Sequence, residues 1–197
     1  MSGVDGPRTA TRVAAVYGAA TPPGRLSLTL ETAVTRLTAE AGLTVARVDL
    51  HASPLPLAGT QGAEESEATR AAVAAVGESH AALIASPVYR ASFPGVLKNF
   101  FDLLPIEALQ GKPVGLIVVG ATHHHFLGVD RHMRDVLSWY GALPLPVSVY
   151  LTSADFEEGA PTADATAELE QLADALLHLA RTVEPGLGPV PLAARRP

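Results

Sequence analysis

AALIASPVYRASFPGVLKNFFD, residues 81–102, contains the clearest strand-to-helix transition in this chain. The apolar run 81–86 predicts a strand covered on both faces, because such strands are continuously hydrophobic. Pro87 fixes its own φ and pushes Ser86 into an extended conformation, so the strand leaves the sheet without continuing as a helix. Residues 94–104 then predict an amphipathic helix. The segment is therefore one strand–loop–helix unit.

Four similar units flank this segment. Their predicted strands are 13–17, 44–49, 113–119 and 145–151, and their predicted helices are 27–41, 64–78, 127–140 and 163–181. Regular alternation of this kind indicates βαβ units with a parallel sheet and helices on both faces. Because no Gly-x-Gly-x-x-Gly turn is present, we predict a flavodoxin-like α/β fold of three layers, with a five-stranded parallel sheet in the order 2-1-3-4-5.

Length and composition limit the domain count and the partners. The chain has 197 residues, a formal net charge of -6, no cysteine and only 17% charged residues. We predict one domain over 12–183, with disordered tails at 1–11 and 184–197. Without clustered cations or a long apolar stretch, neither nucleic acid nor a membrane is an expected partner. The absence of cysteine excludes disulfides and thiolate chemistry and fits a cytoplasmic location, and the sparse surface charge favours a homodimer or homotetramer.

The loops after strands one, three and four are expected to share one edge of the sheet, where ligands of this fold bind. The first loop, 18–27, leads into a helix whose free N–H groups favour a phosphate, and Arg25 can add a charge-assisted contact. Ser27 is either part of this phosphate site or only a helix N-cap. The long connection 50–62 is expected to cover a site or an interface.

In the other two loops, backbone groups and hydroxyls are the candidate contacts. After Pro87, the amides of 88–90, including that of Arg90, are predicted to be free for a flat ligand. Gly120 permits close backbone approach, and the Thr122 hydroxyl can reach the polar edge of a ring.

Residues 85–102, together with 111–113 (GKP) and 120–130 (GATHHHFLGVD), resemble the NAD(P)H-dependent FMN reductase family, and within it the branch that serves alkanesulfonate monooxygenases. The resemblance covers most of residues 12–180. It implies an enzyme that binds FMN, takes electrons from NADPH or NADH, and supplies reduced flavin to a partner monooxygenase. It also implies flavin contacts from Pro87, Val88, Tyr89, Ser92 and His125.

Two departures from the family pattern bear on how flavin is held. The family's phosphate loop is rich in serine, whereas this chain has Ala19, Gly24 and Leu26 at positions that often carry hydroxyls. Thr21, Thr29 and backbone amides are the candidates to replace them. Arg131 stands where the sulfonate branch commonly has an aromatic residue, on a helix that the resemblance associates with oligomer packing.

Several other residues have a structural interpretation. Lys98 is expected on a solvated helix face, and Phe93, Phe100 and Phe101 in the core or a subunit interface. His123 and His124 with His125 raise the alternative of metal-dependent hydrolysis. We do not predict a metal site, because adjacent side chains on extended backbone point in alternating directions.

Three functions remain open at this stage, and none requires a catalytic side chain, because the cofactor carries the redox chemistry. The first is a reductase that releases reduced flavin to a partner enzyme. The second is an oxidoreductase with bound FMN that acts on a quinone, an azo or nitro compound, or a specialised-pathway substrate. The third is a non-enzymatic FMN electron carrier, which the modest charge and the hydroxyl-poor loop disfavour.

Overall fold

Strands and helices alternate through the described residues, which in this computed structural model are 10–184, 187 and 189–191. The strands are β1 (Thr11–Tyr17), β2 (Leu43–Asp49), β3 (Ala81–Pro87), β4 (Pro113–Val119), β5 (Leu143–Pro144), β6 (Val149–Leu151), β7 (Phe156–Glu157) and β8 (Ala160–Pro161). The helices are α1 (Arg25–Thr38), α2 (Glu67–Gly77), α3 (Gly95–Leu103), α4 (Phe126–Trp139) and α5 (Ala163–Thr182). Predicted boundaries differ from these by three residues or fewer, the fifth strand excepted.

The main sheet is parallel with the order β2-β1-β3-β4-β5, which confirms the predicted topology. One buried cluster joins α1 and α5 to one face of the sheet, and a second joins α2, α3 and α4 to the other face. The strands β1, β3 and β4 are almost completely buried, as their continuous apolar runs predict. The fold is therefore a flavodoxin-like three-layer sandwich.

The predicted fifth strand, 145–151, is wrong as a continuous element. The structure has two short strands instead, β5 and β6, and both pair with β4 in parallel. The Leu145 N–H still donates to the Val114 carbonyl at 2.9 Å, and residues 146–148 then leave the sheet. Pro144 and Pro146 lack an N–H group to donate to a ladder, which explains why this edge of the sheet is interrupted. The hairpin of β7 and β8 was not predicted from the sequence.

The two predicted tails lie largely outside the described residues. Thr11, which the prediction placed in the first tail, pairs with Leu43 as the first residue of β1. Pro191, from the predicted second tail, lies so close to Gly141 that a Cβ at 141 would stand 2.7 Å from its Cγ. In the described part of the chain, no helix combines the length and the apolar character that crossing a bilayer requires.

Candidate functional site

The carboxyl ends of β1, β3 and β4 meet at one edge of the sheet, because all three strands are parallel neighbours. From β1 the chain passes to β2 on one side, and from β2 it returns to β3 on the other side of β1, so the direction of the strand order reverses between β1 and β3. A crevice opens at such a reversal and is the usual ligand position in open α/β sheets. The predicted site residues lie in the three loops at this edge or at the ends of the strands and helices that flank them.

The first loop is held tightly against β3. The Gly18 N–H donates to the carbonyl of Ala85 at 2.8 Å. A Cβ at position 18 would stand 2.7 Å from that carbonyl oxygen and 3.0 Å from Leu97 Cδ2, so only glycine fits. Farther along, the Tyr17 hydroxyl donates to the carbonyls of Thr21 and Pro22, both at 3.2 Å. Burial raises the pKa of Tyr17, which keeps this hydroxyl a donor.

The start of α1 presents backbone donors to the same loop. The first helical bond runs from the Leu28 N–H to the Gly24 carbonyl at 3.1 Å, so the N–H groups of residues 25–27 have no partner within the described structure. Gly24 is the N-cap, which makes the N-cap interpretation of Ser27 wrong. The Ser27 hydroxyl instead donates back to the Gly24 carbonyl at 2.7 Å. Three free amides at a helix N-terminus can receive an anion.

Two threonines were expected to supply hydroxyls to this loop, and they differ in burial. The Thr21 side chain is exposed in the loop. Thr29 is fully buried, and its hydroxyl donates to the Leu26 carbonyl at 2.8 Å. The expectation that Thr29 replaces a missing hydroxyl is therefore wrong, because its side chain faces the core.

Arg25 is exposed, and its guanidinium carbon lies 5.3 Å from the ring centroid of Phe156. A cation over an aromatic face at this distance is attracted to the ring. Phe156 begins β7, so the unpredicted hairpin stands beside the first loop. No sequence pattern connected these two residues, which are far apart in the chain.

The loop after β3 is a tight hairpin turn. The Tyr89 N–H donates to the Ser92 carbonyl at 2.7 Å, and the Ser92 N–H donates back at 3.0 Å. Arg90 and Ala91 between them have φ values of 52° and 63°. Two successive positive φ values define a type I′ turn, which normally requires glycine or asparagine. For a residue with a side chain, each such conformation stores about 1–3 kcal/mol of strain.

This turn corrects the prediction that the amides of 88–90 are free. The Val88 N–H donates to the Val119 carbonyl at 3.1 Å, and the Tyr89 N–H is used within the hairpin. Only the Arg90 N–H remains without a partner in the described residues. Pro87 and Val88 are half-buried at the crevice, and the Tyr89 ring is 46% exposed. Ser92 Oγ lies 3.0 Å from Nδ1 of His132 on α4.

The loop after β4 is braced by Tyr150, which the sequence reasoning missed. Its hydroxyl donates to the Thr122 carbonyl at 2.7 Å. A Cβ at Gly120 would stand 2.1 Å from the Tyr150 hydroxyl oxygen, so Gly120 is required for this ring to lie where it does. Phe126 packs edge-on at 5.5 Å between ring centroids. An aromatic residue near the carboxyl end of the fifth predicted strand was the available signal.

His123–His125 form a short 3₁₀ helix, so the argument from extended backbone is wrong for these residues. Nδ1 of His124 lies 3.3 Å from the Thr122 hydroxyl, and the His123 ring centroid lies 6.1 Å from that of Tyr150. His125 is exposed as the N-cap of α4. Among the residues with described positions, no three His, Cys, Asp or Glu side chains are grouped as metal ligands.

The long connection 50–62 lies against the first loop. Nδ1 of His51 is 2.8 Å from the Ala20 carbonyl. Asn99 on α3 fixes the far part of the connection, since its amide donates to the Pro56 carbonyl at 2.9 Å and accepts from the Ala58 N–H at 2.8 Å. An open cleft of about 500 Å³ lies between this connection, Ala20 and the start of α3. Asn99 is a second residue that the sequence reasoning missed.

The remaining candidates on α3 behave as structural residues. Lys98 is exposed and pairs with Asp102 at 2.5 Å, one helical turn away. Phe100 and Phe101 are each 1% exposed and belong to the core, which confirms their predicted role. Phe93 packs edge-on against Phe101 at 6.0 Å.

The sequence matches a family model and several curated relatives. The family model described as NADPH-dependent FMN reductase matches residues 11–157. An FMN reductase (NADPH) from Pseudomonas aeruginosa is 35% identical over 147 residues, which are 74% of this chain and 79% of the relative. The NADH-dependent FMN reductase SfnF from Pseudomonas fluorescens is 31% identical over 75% of this chain and 79% of its own length.

Solved structures share the fold. The apo form of an NADH:FMN oxidoreductase, EmoB, superposes with a TM-score of 0.74 at 22% identity, over 95% of this chain and 97% of that one. A flavodoxin from the domain Archaea has a TM-score of 0.62 at 10% identity, over 86% and 98% of the two chains. The family model spans most of the chain. The chain therefore belongs to the NADPH-dependent FMN reductase family, whose members are NAD(P)H-dependent flavin oxidoreductases.

Proposed function

We propose that the protein binds FMN across the carboxyl ends of β1, β3 and β4, reduces it with NADPH or NADH, and releases it to a partner monooxygenase. The observation that carries this proposal is that three parallel strands bring their loops to one edge, at the reversal of strand order between β1 and β3. Free amides at the start of α1 and close-fitting glycines at 18 and 120 lie at this edge. When bound, FMN accepts a hydride from nicotinamide and passes electrons to an acceptor.

The first loop fits the phosphate of FMN. Its donors are the free N–H groups of residues 25–27, the exposed Thr21 hydroxyl and Arg25, all at the positive end of the α1 dipole. Ser27 contributes its amide, because its hydroxyl is already donated to Gly24. Gly18 keeps the loop against β3 so that these donors face the crevice.

The other two loops fit a flat ring system. In the proposed site Pro87, Val88, Tyr89, Arg90 and Ser92 border one side of the ring, with the Arg90 N–H as the free backbone donor. The third loop contributes Gly120, the Thr122 hydroxyl and His125 at the opposite side. These residues bind and orient the ring, and none needs to act as an acid or base.

Few hydroxyl groups remain to bind the phosphate of FMN, and weak binding of the phosphate favours release of the flavin. Thr29 is buried and the Ser27 hydroxyl is donated to the Gly24 carbonyl, so Thr21 is the hydroxyl left to replace the missing serines. Each lost neutral hydrogen bond is worth about 1 kcal/mol, so two or three losses weaken binding by about ten- to a hundredfold. Weak binding suits a protein that releases its flavin to a partner enzyme.

Arg131 favours a second candidate, in which FMN stays bound and the protein reduces a quinone, an azo or nitro compound, or a pathway intermediate. This residue is exposed on α4 next to His132, whose ring lies 3.0 Å from Ser92 Oγ, and it stands where the sulfonate branch commonly has an aromatic residue. The exposed His124 and His125 would then border the acceptor.

One spectroscopic experiment separates these functions. Purified protein is mixed with FMN, reduced anaerobically with NADPH and in parallel with NADH, and then passed over a desalting column. Bleaching of the flavin band with loss of flavin on the column is the result that we expect. Bleaching with retained flavin supports the second candidate. Binding without bleaching by either nucleotide points to an electron carrier, and absence of binding overturns the proposal.

Self-association is part of the same proposal. α4 exposes Leu127 and Trp139 to 73% and 62%, although both are large apolar residues. We propose that a homodimer or homotetramer covers these two side chains. Light scattering after gel filtration is expected to give a multiple of 20.4 kDa that falls toward the monomer in Trp139→Glu. We place the protein in the cytoplasm, where reduced nicotinamide is available.

A further inference from the structure

The hairpin at 89–92 is held in a conformation that its sequence does not favour. Arg90 and Ala91 have positive φ values of 52° and 63°, and side chains rarely adopt this region. The hairpin's own support is the pair of backbone bonds between Tyr89 and Ser92. A strained turn of this kind persists only where the surrounding structure over-determines it.

One face of α4 supplies that support. Gly128 and His132 are four residues apart and therefore lie on the same side of the helix. At Gly128 the helix approaches the hairpin so closely that a Cβ would stand 3.0 Å from the Ala91 carbonyl oxygen. At His132 the ring Nδ1 is 3.0 Å from Ser92 Oγ. The helix thus meets two consecutive residues of the hairpin.

We propose that His132 is a positioning residue, whose hydrogen bond to Ser92 fastens the 89–92 hairpin to α4 and so fixes Tyr89 and Ser92 beside the flavin. The bond forms with either tautomer, because the serine hydroxyl both donates and accepts. His132 is exposed and acts through Ser92, not on the flavin itself. This inference rests on the proposed function for its consequence, whereas the fastening itself is testable without flavin.

Trypsin reports on the hairpin directly, because Arg90 is exposed at its tip. In His132→Ala we expect cleavage after Arg90 to accelerate about three- to tenfold, because loss of one hydrogen bond makes opening of the hairpin more frequent by about that factor. Cleavage after Arg70, exposed on α2, serves as the internal reference and should not change. His132→Asn, which keeps a polar atom near the position of Nδ1, should restore the slow rate. His178→Ala, an exposed histidine on α5, is the matched control.

The same variants are then tested for flavin use. With the protein in its FMN-reducing assay, His132→Ala should raise KM for FMN about three- to tenfold with kcat within about twofold of wild type, and His132→Asn should recover KM. Unchanged cleavage after Arg90 in His132→Ala overturns the proposal, as does equal acceleration at Arg70, which indicates general destabilisation. If wild-type protein fails to bind FMN, the proposed function fails, and the cleavage rates still decide the role of His132.

Discussion

Substitution of Gly18 by alanine tests the close contact between the first loop and β3. The new Cβ would stand 2.7 Å from the Ala85 carbonyl oxygen, about 0.7 Å inside the 3.4 Å at which ordinary contact begins. Neither neighbour can move away freely, because Ala85 belongs to a central strand and Leu97 is fully buried. Overpacking of this kind costs about 1–3 kcal/mol. For a domain of this size, the melting temperature should fall by about 2–12 °C.

Thermal and urea unfolding of Gly18→Ala measure this loss, with and without FMN. Because the first loop is displaced from β3, we also expect FMN to raise the melting temperature less than in wild type. Gly77→Ala at the end of α2 is the control, since a Cβ there meets nothing within 4 Å. It should be neutral or slightly stabilising. A Gly18→Ala protein with the same melting temperature as wild type would refute the steric argument.

Three further predictions concern single side chains. Arg25→Ala should raise the Kd for FMN about fivefold in a fluorescence titration, with Arg70→Ala as control, because an exposed charge contributes about 1 kcal/mol. Tyr150→Phe removes the bond to Thr122 and should speed amide exchange in 120–125 but not in β2. Burial lowers the pKa of Lys112 to about 8 from 10.5, so the unfolded chain binds more protons between these values and the free energy of unfolding should rise with pH there. Lys112→Met should lose that rise in urea unfolding from pH 7.5 to 10.5.

The fold was predictable because its evidence is local and repeated. Each central strand is a continuous apolar run, and each is followed by a helical pattern at a short distance along the chain. Pro87 marked the end of β3 within one residue. The order of the strands followed from their alternation with helices and from the absence of a dinucleotide-binding turn. The prediction of a continuous fifth strand failed because Pro146 fits the apolar pattern but has no N–H group to donate to the sheet.

The site was predictable only to the level of loops. Sequence reasoning placed Gly18, Pro87 and Gly120 at one edge, since parallel strands bring their carboxyl ends together. It did not find the type I′ turn, because Arg90-Ala91 carries none of the glycine or asparagine that normally marks such a turn. The residues with positive φ values lie against α4, a contact between distant segments that no short stretch of sequence records.

Tertiary contacts also explain why the residues that hold the third loop in place escaped prediction. Asp130 on α4 accepts from Arg134 Nε at 2.8 Å, and the Arg134 guanidinium donates to Ser148 Oγ at 3.1 Å. Ser148 in turn donates to Asp130, so the helix is fastened to the segment that leads into β6. β6 carries Tyr150, whose hydroxyl holds the third loop. On another side of α4, His132 contacts Ser92 of the 89–92 hairpin. Two loops of the proposed site that are distant in sequence are therefore both connected to α4, and we expect a change in the position of this helix to affect both.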